Sequence, residues 1–458
     1  IHVLQKVQDL KFQQDADYFL TSLLIDPLAR MHGDQKPVIL DAFAEQKKQF
    51  EFNNKRGEIG GDLNISDTIE LQKKEYIAFL NGDAMGKSLQ WASGALTLGV
   101  VFNSFVTRTK RIKQQRKKSP EQWIKDCYSD MQSVFETFDG SMMASIVMGL
   151  VERQSGVVYY VNAEHPWPVL YRNGKAQFIS SDIVLYKVGN VLQLHPFMIH
   201  TFALRKGDSF FVGSDGKDDI ILGYEEDGTR IINEDEELFL QHVEQGEGQL
   251  DRIAESIKSQ GELTDDFTLL SISFEGEGVY DKYHHSKESL DLEDQELFDK
   301  AHELEKGKHW GKALDILNKL SHKDKTALPA LSRMMRLHLK RQEYSRSAKL
   351  GERYYNIDPL NNKIIFLTSF SFKKAKKLSR AVHYGEILRL RDPKNVRNLM
   401  NLADAYRLQK NYDRALFLAE TGLNYDPHND KLNSLKEYLG EQMESISYRG
   451  SKAQLEKG

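Results

Sequence analysis

The sequence predicts an α+β domain followed by an all-α repeat array, and three observations carry that prediction. From about Phe50 to Phe274, short apolar runs are separated by Gly, Asn, Asp or Pro turns at hairpin spacing, so antiparallel sheets are expected. Helical patterns interrupt over Leu89 to about Arg116, Pro120 to Phe138, Asp235 to Gln245 and Leu250 to Ser259, which places helices over the sheets. In the last third, Trp310, Tyr344, Leu378 and Tyr412 recur at 34-residue intervals, as do Ala313, Ser347, Ala381 and Ala415, with prolines at 359, 393 and 427. That period fits stacked helix-turn-helix units whose small residues let helices approach closely.

The strands follow from local pattern. Val157–Asn162, Trp167–Tyr171, Phe178–Ile179, Thr201–Leu204 and Phe267–Phe274 are apolar or alternating runs bounded by turn residues. The expected boundaries are an N-terminal helical segment 1–30, a sheet domain 31–276, a polar linker 277–290, the repeats 291–447 and a tail 448–458. His284 and His285 fall in that linker without visible metal-binding partners.

At 458 residues the chain can support two or three cores, and its net charge of −4 gives no global pull toward nucleic acid or an anionic membrane. The longest apolar pieces, such as Ala95–Phe102, fall short of a membrane span. Cys127 is the only cysteine, so no intramolecular disulfide forms and a reducing cytoplasm is the expected compartment. The sequence begins inside a helix, Ile1–Leu24, as a piece of a longer and even membrane-anchored chain would. Val3, Val7 and Leu10 follow a coiled-coil spacing that fails at Gln14 and Asp17, which reads as the end of a coiled coil or as an amphipathic helix packed on its domain. The basic run Arg108, Lys110, Arg111, Lys113, Arg116, Lys117 and Lys118 reads as a solvated helix end or a dock for an acidic partner. No aromatic residue interleaves with it, against nucleic-acid stacking.

The chemistry is concentrated in acids at strand ends. Glu75-Tyr-Ile-Ala-Phe-Leu-Asn-Gly-Asp-Ala-Met-Gly-Lys-Ser88 is an apolar strand that breaks at glycine and delivers Asp83 into a tight turn. Ser209–Gly216 ends a strand in Asp215-Gly216, Asp265-Asp266 directly precedes a strand, and Asp62 closes Gly57-Glu-Ile-Gly-Gly-Asp62. Several acids at strand ends, with no matching His or Cys cluster, favour an all-oxygen site for Mg²⁺ or Mn²⁺. Gly82-Asp-Ala-Met-Gly-Lys-Ser88 approaches a nucleotide-binding P-loop, but it has three residues between its glycines where four are needed, and the charge of Asp83 would oppose the phosphate.

The order and spacing of Gly60-Gly-Asp62, Gly82-Asp-x-x-Gly-Lys87, Asn162-Ala-Glu-His-Pro166, Ser214-Asp-Gly216 and Asp265-Asp-x-Thr268 resemble the PPM (type-2C) metal-dependent serine/threonine phosphatases of the SpoIIE/RsbU branch. The resemblance implies an antiparallel β-sandwich flanked by helices and two divalent cations, Mn²⁺ or Mg²⁺, with Asp83, Asp215 and Asp265 as catalytic ligands. Asp83 would bridge both ions, the Ala84 carbonyl would ligate the second, and Asp215 and Asp265 would hold the first. Asp62 matches an acid on the second ion's side, and Asp266 stands where relatives carry Asn or Asp. Such an ion pair activates water for in-line attack on a phosphate. The sequence departs from the branch at Ser88, where glycine is common, and at Glu164 and Trp167 around His165. His165 and Pro166 read as turn formers, and Arg56 as a surface arginine.

The repeats resemble tetratricopeptide repeats, best in Asn401-Leu-Ala-Asp-Ala-Tyr406 and Asn411-Tyr-Asp-Arg-Ala415 through Asp426-Pro427, giving four repeats and a capping helix near Asp430–Ser445. Such arrays present a groove to another protein, or here to the chain's own first domain. Together the resemblances imply a phosphoserine or phosphothreonine phosphatase in bacterial signalling. Its expected substrate is a STAS-type anti-sigma-factor antagonist, with an unidentified protein on the repeats, no nucleic acid, and regulated dimerisation through the N-terminal helix. The rivals are a scaffold that has lost turnover and, more distantly, a P-loop-like nucleotide binder.

Overall fold

Every strand pairing among the described residues is antiparallel, apart from isolated single-residue bridges. The computed structural model describes residues 2–33, 36–85, 89–180, 185–192, 196–284 and 290–455, and the chain divides into two units, Ile1–Gly278 and Val279–Gly458.

The strands of the first unit are β1 (Val38–Glu45), β2 (Lys48–Phe52), β3 (Lys55–Ile59), β4 (Asp62–Leu71), β5 (Lys74–Ala84), β6 (Ala144–Glu152), β7 (Val157–Ala163), β8 (Val169–Arg172), β9 (Lys175–Phe178), β10 (His200–Ala203), β11 (Asp208–Gly213), β12 (Ile220–Tyr224), β13 (Arg230–Ile232), β14 (Glu262–Leu263) and β15 (Phe267–Phe274). Its helices are α1 (His2–Ile25), α2 (Leu89–Arg111), α3 (Pro120–Phe135), α4 (Leu238–Gln245) and α5 (Leu250–Gln260). One sheet runs β10-β7-β6-β5-β4 and the other β1-β15-β11-β8-β9.

Side-chain alternation along the strands builds the layers. Phe210 and Leu270 enter the core shared with Phe79, Val147 and Tyr160 of the other sheet. Their chain neighbours Phe211 and Leu269 point the opposite way, onto Phe239, Val243, Ile253 and Ile257 of α4 and α5. Both faces of this sheet are therefore apolar, and each such buried side chain contributes about 1.5–3 kcal/mol. Helices α2 and α3 lie on the first sheet, where Trp123 meets Phe102 and Phe105 edge-on. Ser119 caps α3 by accepting from the Gln122 amide, with Pro120 at the first helical position. The result is the expected sandwich flanked by helices.

Four sequence expectations are corrected. The second sheet begins at Val38, ahead of Phe50. Helix α4 starts at Leu238 rather than Asp235, and α2 ends at Arg111, before a short 3-10 turn, Gln115–Lys117. Asp83 sits inside β5, not in a turn, because the strand continues through Gly82 to Ala84 against β6. The basic run is a salt-bridged surface: Arg108 pairs with Asp130, Lys110 with Asp67 and Lys118 with Asp126. Helix α1 packs Tyr18 and Phe19 on Phe50 and Phe52 of the β2–β3 hairpin, and leaves Val7, Leu10, Leu20 and Leu24 exposed. The side chain of Val3 lies outside the described residues.

The second unit contains α6 (Val279–Tyr283), α7 (Leu292–Lys306), α8 (Trp310–Leu320), α9 (Asp324–Lys340), α10 (Tyr344–Ile357), α11 (Asn362–Lys374), α12 (Leu378–Arg391), α13 (Val396–Leu408), α14 (Tyr412–Tyr425) and α15 (Asp430–Leu455). The 34-residue period acquires a physical meaning here. Trp310, Tyr344, Leu378 and Tyr412 each open the second helix of a pair, and Ala313, Ser347, Ala381 and Ala415 one turn later are completely buried. The turn before each second helix places one residue in the left-handed region at the same period: Lys308, Gln342, Lys376 and Lys410. Asn361 and Asn395 cap the first helices of their pairs by accepting from the Ile364 and Asn398 amides, and Asn429 accepts from the Leu432 amide. His284 stacks on Tyr280 and pairs with Asp358 at 3.2 Å, while His285 lies outside the described residues.

Candidate metal centre

The antiparallel register of β4 and β5 places Asp62 directly opposite Asp83, so two acids share one face of the sheet at adjacent positions. The others arrive from the second sheet. Asp215 begins a 3-10 turn after β11, and Asp265 and Asp266 immediately precede β15, the strand paired with β11. Asp62 and Asp266 are buried, Asp83 is half-buried, and Asp215 and Asp265 stand at the solvent-facing rim.

Two glycines make the close approach possible. A Cβ on Gly60 would stand 2.1 Å from Asp266 Oδ2, and one on Gly61 would stand 2.6 Å from the Ala84 carbonyl oxygen. Asp266 is fixed there by amides, accepting from Lys47 N at 2.7 Å and Gly61 N at 2.8 Å. Its carboxyl titrates above the usual range because burial outweighs those bonds.

The acids raise one another. Burial first, then the charges of Asp215 and Asp265, push the Asp83 carboxyl up to about 7. Asp62 is raised by burial and then by Asp83, and Asp215 by its surroundings and then by Asp265. Asp219, absent from the sequence-level site, belongs to the same field and is also raised, by burial and then by Asp215. Lys187 acts in the other direction, lowering both Asp83 and Asp215.

Behind the acids runs a buried chain of hydrogen bonds, with the polarity of its links from Ser145 to Asn81 set by the Asn81 amide. Asn81 Nδ2 donates to Asn64 Oδ1 at 2.7 Å and to Thr268 Oγ1 at 3.0 Å, so Asn81 Oδ1 is an acceptor. His165 Nε2 therefore donates to it at 2.6 Å, and His165 Nδ1 accepts from Ser145 Oγ at 2.9 Å. Thr268 Oγ1 completes the chain by donating to Asp62 Oδ2 at 3.0 Å. Burial holds the His165 imidazole neutral, its pKa lowered to about 3, as this donor-acceptor pattern requires. Asn162 closes the turn around His165, accepting from its amide and donating to its carbonyl. His165 is thus more than a turn former, since it anchors a line leading to Asp62. Nothing in its spacing reveals this, because the partners come from strands that meet only in the folded sheets.

The structure gathers Asp62, Asp83, Asp215, Asp265 and Asp266 into one electrostatic cluster beside the Ala84 backbone. Among the described residues, no three His, Cys, Asp or Glu side chains are grouped closely enough to hold a metal ion between them. The donor chemistry nonetheless fits hard divalent cations: the set is all oxygen, and its mutual repulsion is what such a cation relieves. Gly86, Lys87 and Ser88 lie outside the described residues. The strand before them is paired antiparallel on both sides, unlike the parallel sheet of a P-loop fold. Arg56 is exposed and pairs with Glu51 at 3.1 Å. Lys187, in the loop before β10, is the cation sequence reasoning missed, because only the fold carries it to the acids.

The family model described as Stage II sporulation protein E (SpoIIE) matches residues 73–275, and that segment is a domain of the SpoIIE type. Asp62 precedes the matched segment. Among curated proteins, none matches. Among solved structures, the SiaA-PP2C domain of Pseudomonas aeruginosa is 17% identical over 60% of this chain and 98% of its own, with a TM-score of 0.40. The RsbU and RsbW domains of a Mycobacterium tuberculosis protein are 16% identical over 52% of this chain, with a TM-score of 0.38, and the match spans 62% of that protein's length. MamA from strain AMB-1 is 19% identical over 35% of this chain and 98% of its own, with a TM-score of 0.29.

Proposed function

We propose that the first unit is a metal-dependent phosphoserine/phosphothreonine protein phosphatase. The observation that carries this reading is the convergence of Asp62, Asp83, Asp215 and Asp265 from two sheets on one site whose acids outweigh the opposing charge of Lys187, with Asp83 at its centre raised to about 7. Asp83, Asp215 and Asp265 would hold the first of two Mn²⁺ or Mg²⁺ ions, and Asp83, the Ala84 carbonyl and Asp62 the second. When bound, the ions supply activated water and charge neutralisation at a phosphoryl group. The chain's own part is orientation. Thr268 fixes the Asp62 carboxylate, the Lys47 and Gly61 amides fix Asp266, and Lys187 offers a cation to the substrate's phosphate oxygens.

The substrate in this reading is a phosphoprotein of the partner-switching type, a phosphorylated STAS domain, acting in the cytoplasm. The repeats serve as the protein-docking module. Exposed Val7, Leu10, Leu20 and Leu24 on α1 support self-association through that helix, which analytical ultracentrifugation at tens of micromolar tests; a strictly monomeric chain sinks it. The second reading, a scaffold without turnover, rests on the spacing of the carboxylates, of which no three among the described residues are grouped closely enough to share an ion. Hydrolysis of p-nitrophenyl phosphate with and without Mn²⁺ separates the two. Metal-dependent turnover is expected, and its absence with both ions at saturation leaves the scaffold.

A further inference from the structure

The turn that carries Asp215 also holds a buried cation that takes no part in the proposed reaction. Lys217 ends the 3-10 turn Asp215–Lys217, and its side chain is only 2% exposed. The stem runs beside β11, where a Cβ on Gly213 would stand 3.4 Å from Lys217 Cδ. The ammonium lies 4.9 Å from the centre of the Phe239 ring of α4 and pairs with Asp218 Oδ2, so an aromatic face and a carboxylate hold it from two directions. The backbone ties this arrangement to Asp215, whose carbonyl accepts from the Asp218 amide at 2.7 Å and from the Asp219 amide at 3.0 Å.

Stability does not account for a lysine here. Taking an ammonium out of water is expensive, and apolar residues of similar volume in place of a buried ion pair are often neutral or stabilising. A methionine would follow the same path between Gly213 and Phe239 without a charge. Substrate contact does not account for it either, because Lys187 keeps a partly exposed side chain whereas Lys217 is enclosed and cannot meet a phosphate arriving from solvent. Its field remains. Against burial and the neighbouring acids, the charge of Lys217 draws the Asp215 and Asp219 carboxyls back down.

We propose that Lys217 is a positioning residue acting through Asp215, a resident counter-charge that sets the acid cluster's affinity for the first divalent cation below what its carboxylates alone would give. The proposal rests on the metal-centre reading and names what tunes it. A cation already in place raises the energy of a second one nearby, and burial keeps salt from screening the effect.

Calorimetric titration of Mn²⁺ into the full chain, stripped with EDTA and then freed of chelator, reads that affinity directly. Lys217→Met is expected to bind Mn²⁺ about tenfold more tightly than the parent, or better. Lys217→Gln, which keeps a donor for Asp218, should do the same, and Lys217→Arg should stay near the parent value. A lysine that only braced the turn would give the opposite sign, since its loss would loosen Asp215 and weaken binding. Circular dichroism of the metal-free chains establishes which variants are folded; where Met is not accepted, Gln carries the comparison. Unchanged or weaker binding in a folded Met or Gln variant overturns the proposal and leaves the metal centre standing, as does Lys217→Arg binding as tightly as Lys217→Met. No Mn²⁺ binding by the parent or any variant overturns both.

Discussion

Thr268 Oγ1 donates to Asp62 Oδ2 across 3.0 Å, joining a strand of one sheet to the first residue of a strand in the other at the back of the acidic cluster. Thr268→Val keeps the shape but removes this donor and leaves Asn81 Nδ2 with one acceptor fewer. The expected outcome is a loss of about 1–3 kcal/mol in stability and a fall of about tenfold or more in Mn²⁺ affinity by calorimetry, as is typical when a residue supporting a metal ligand is removed. Thr268→Ser should restore both.

Asp83→Asn removes the charge on which the cluster centres. Hydrolysis of p-nitrophenyl phosphate at saturating Mn²⁺ should fall by several orders of magnitude, the scale of metal-activated water. In EDTA the same variant should melt higher than the parent, because it relieves repulsion; each kcal/mol is about 2–4 °C for a domain of this size. Equal rates for parent and variant would move the chemistry away from this strand. Asp266→Asn keeps an acceptor for only one of its two amide partners, Lys47 N and Gly61 N, but leaves the central charge of Asp83 in place, so a smaller fall in rate is expected.

Metal-free stability should depend on pH through the same residue. A carboxyl whose folded pKa is raised from 3.8 to about 7 favours the folded state when protonated, a contribution fully present below 3.8 and lost as pH rises through about 7. Differential scanning fluorimetry in EDTA should therefore show the unit gaining stability as pH falls from 8 to 6, and Asp83→Asn should flatten that slope. A parent slope of the opposite sign, unchanged by the substitution, contradicts the assignment.

Glu164 is exposed and left-handed at φ 46, a conformation that glycine adopts without strain. Glu164→Gly relieves a backbone cost of about 1–2 kcal/mol against a smaller loss of unfolded-state restriction. A small net gain in chemical denaturation midpoint is expected. Glu164→Val, which branches at Cβ, should lower it.

In the repeats, Ala381 is fully buried at the periodic small position. Ala381→Leu should cost about 1–3 kcal/mol by overpacking, seen as a lower melting temperature for the helical signal while Mn²⁺ affinity is unchanged. A loss of metal binding would mean that the two units do not fold as separate cores.

Local pattern alone determined much of this protein. The hairpin-spaced apolar runs named seven of the ten strands in the two five-stranded sheets, though not β1, β4 or β6, and the 34-residue period picked out the residues that open the second helix of each repeat pair, because those signals are set by neighbours a turn or a strand away. The acids Asp62, Asp83, Asp215, Asp265 and Asp266 were legible as strand-end carboxylates for the same reason. Sequence did not show that Asp83 stays within its strand, since pairing with β6 carries β5 past Gly82. Nor did it show Lys187 and Asp219 entering the field of the acids, or the line from Ser145 through His165, Asn81 and Thr268 to Asp62. Those partners lie far apart in the chain, and only strand register brings each donor to its acceptor. Sequence chooses the donors and acceptors, but directional bonds a few ångströms long exist only once the two sheets have packed.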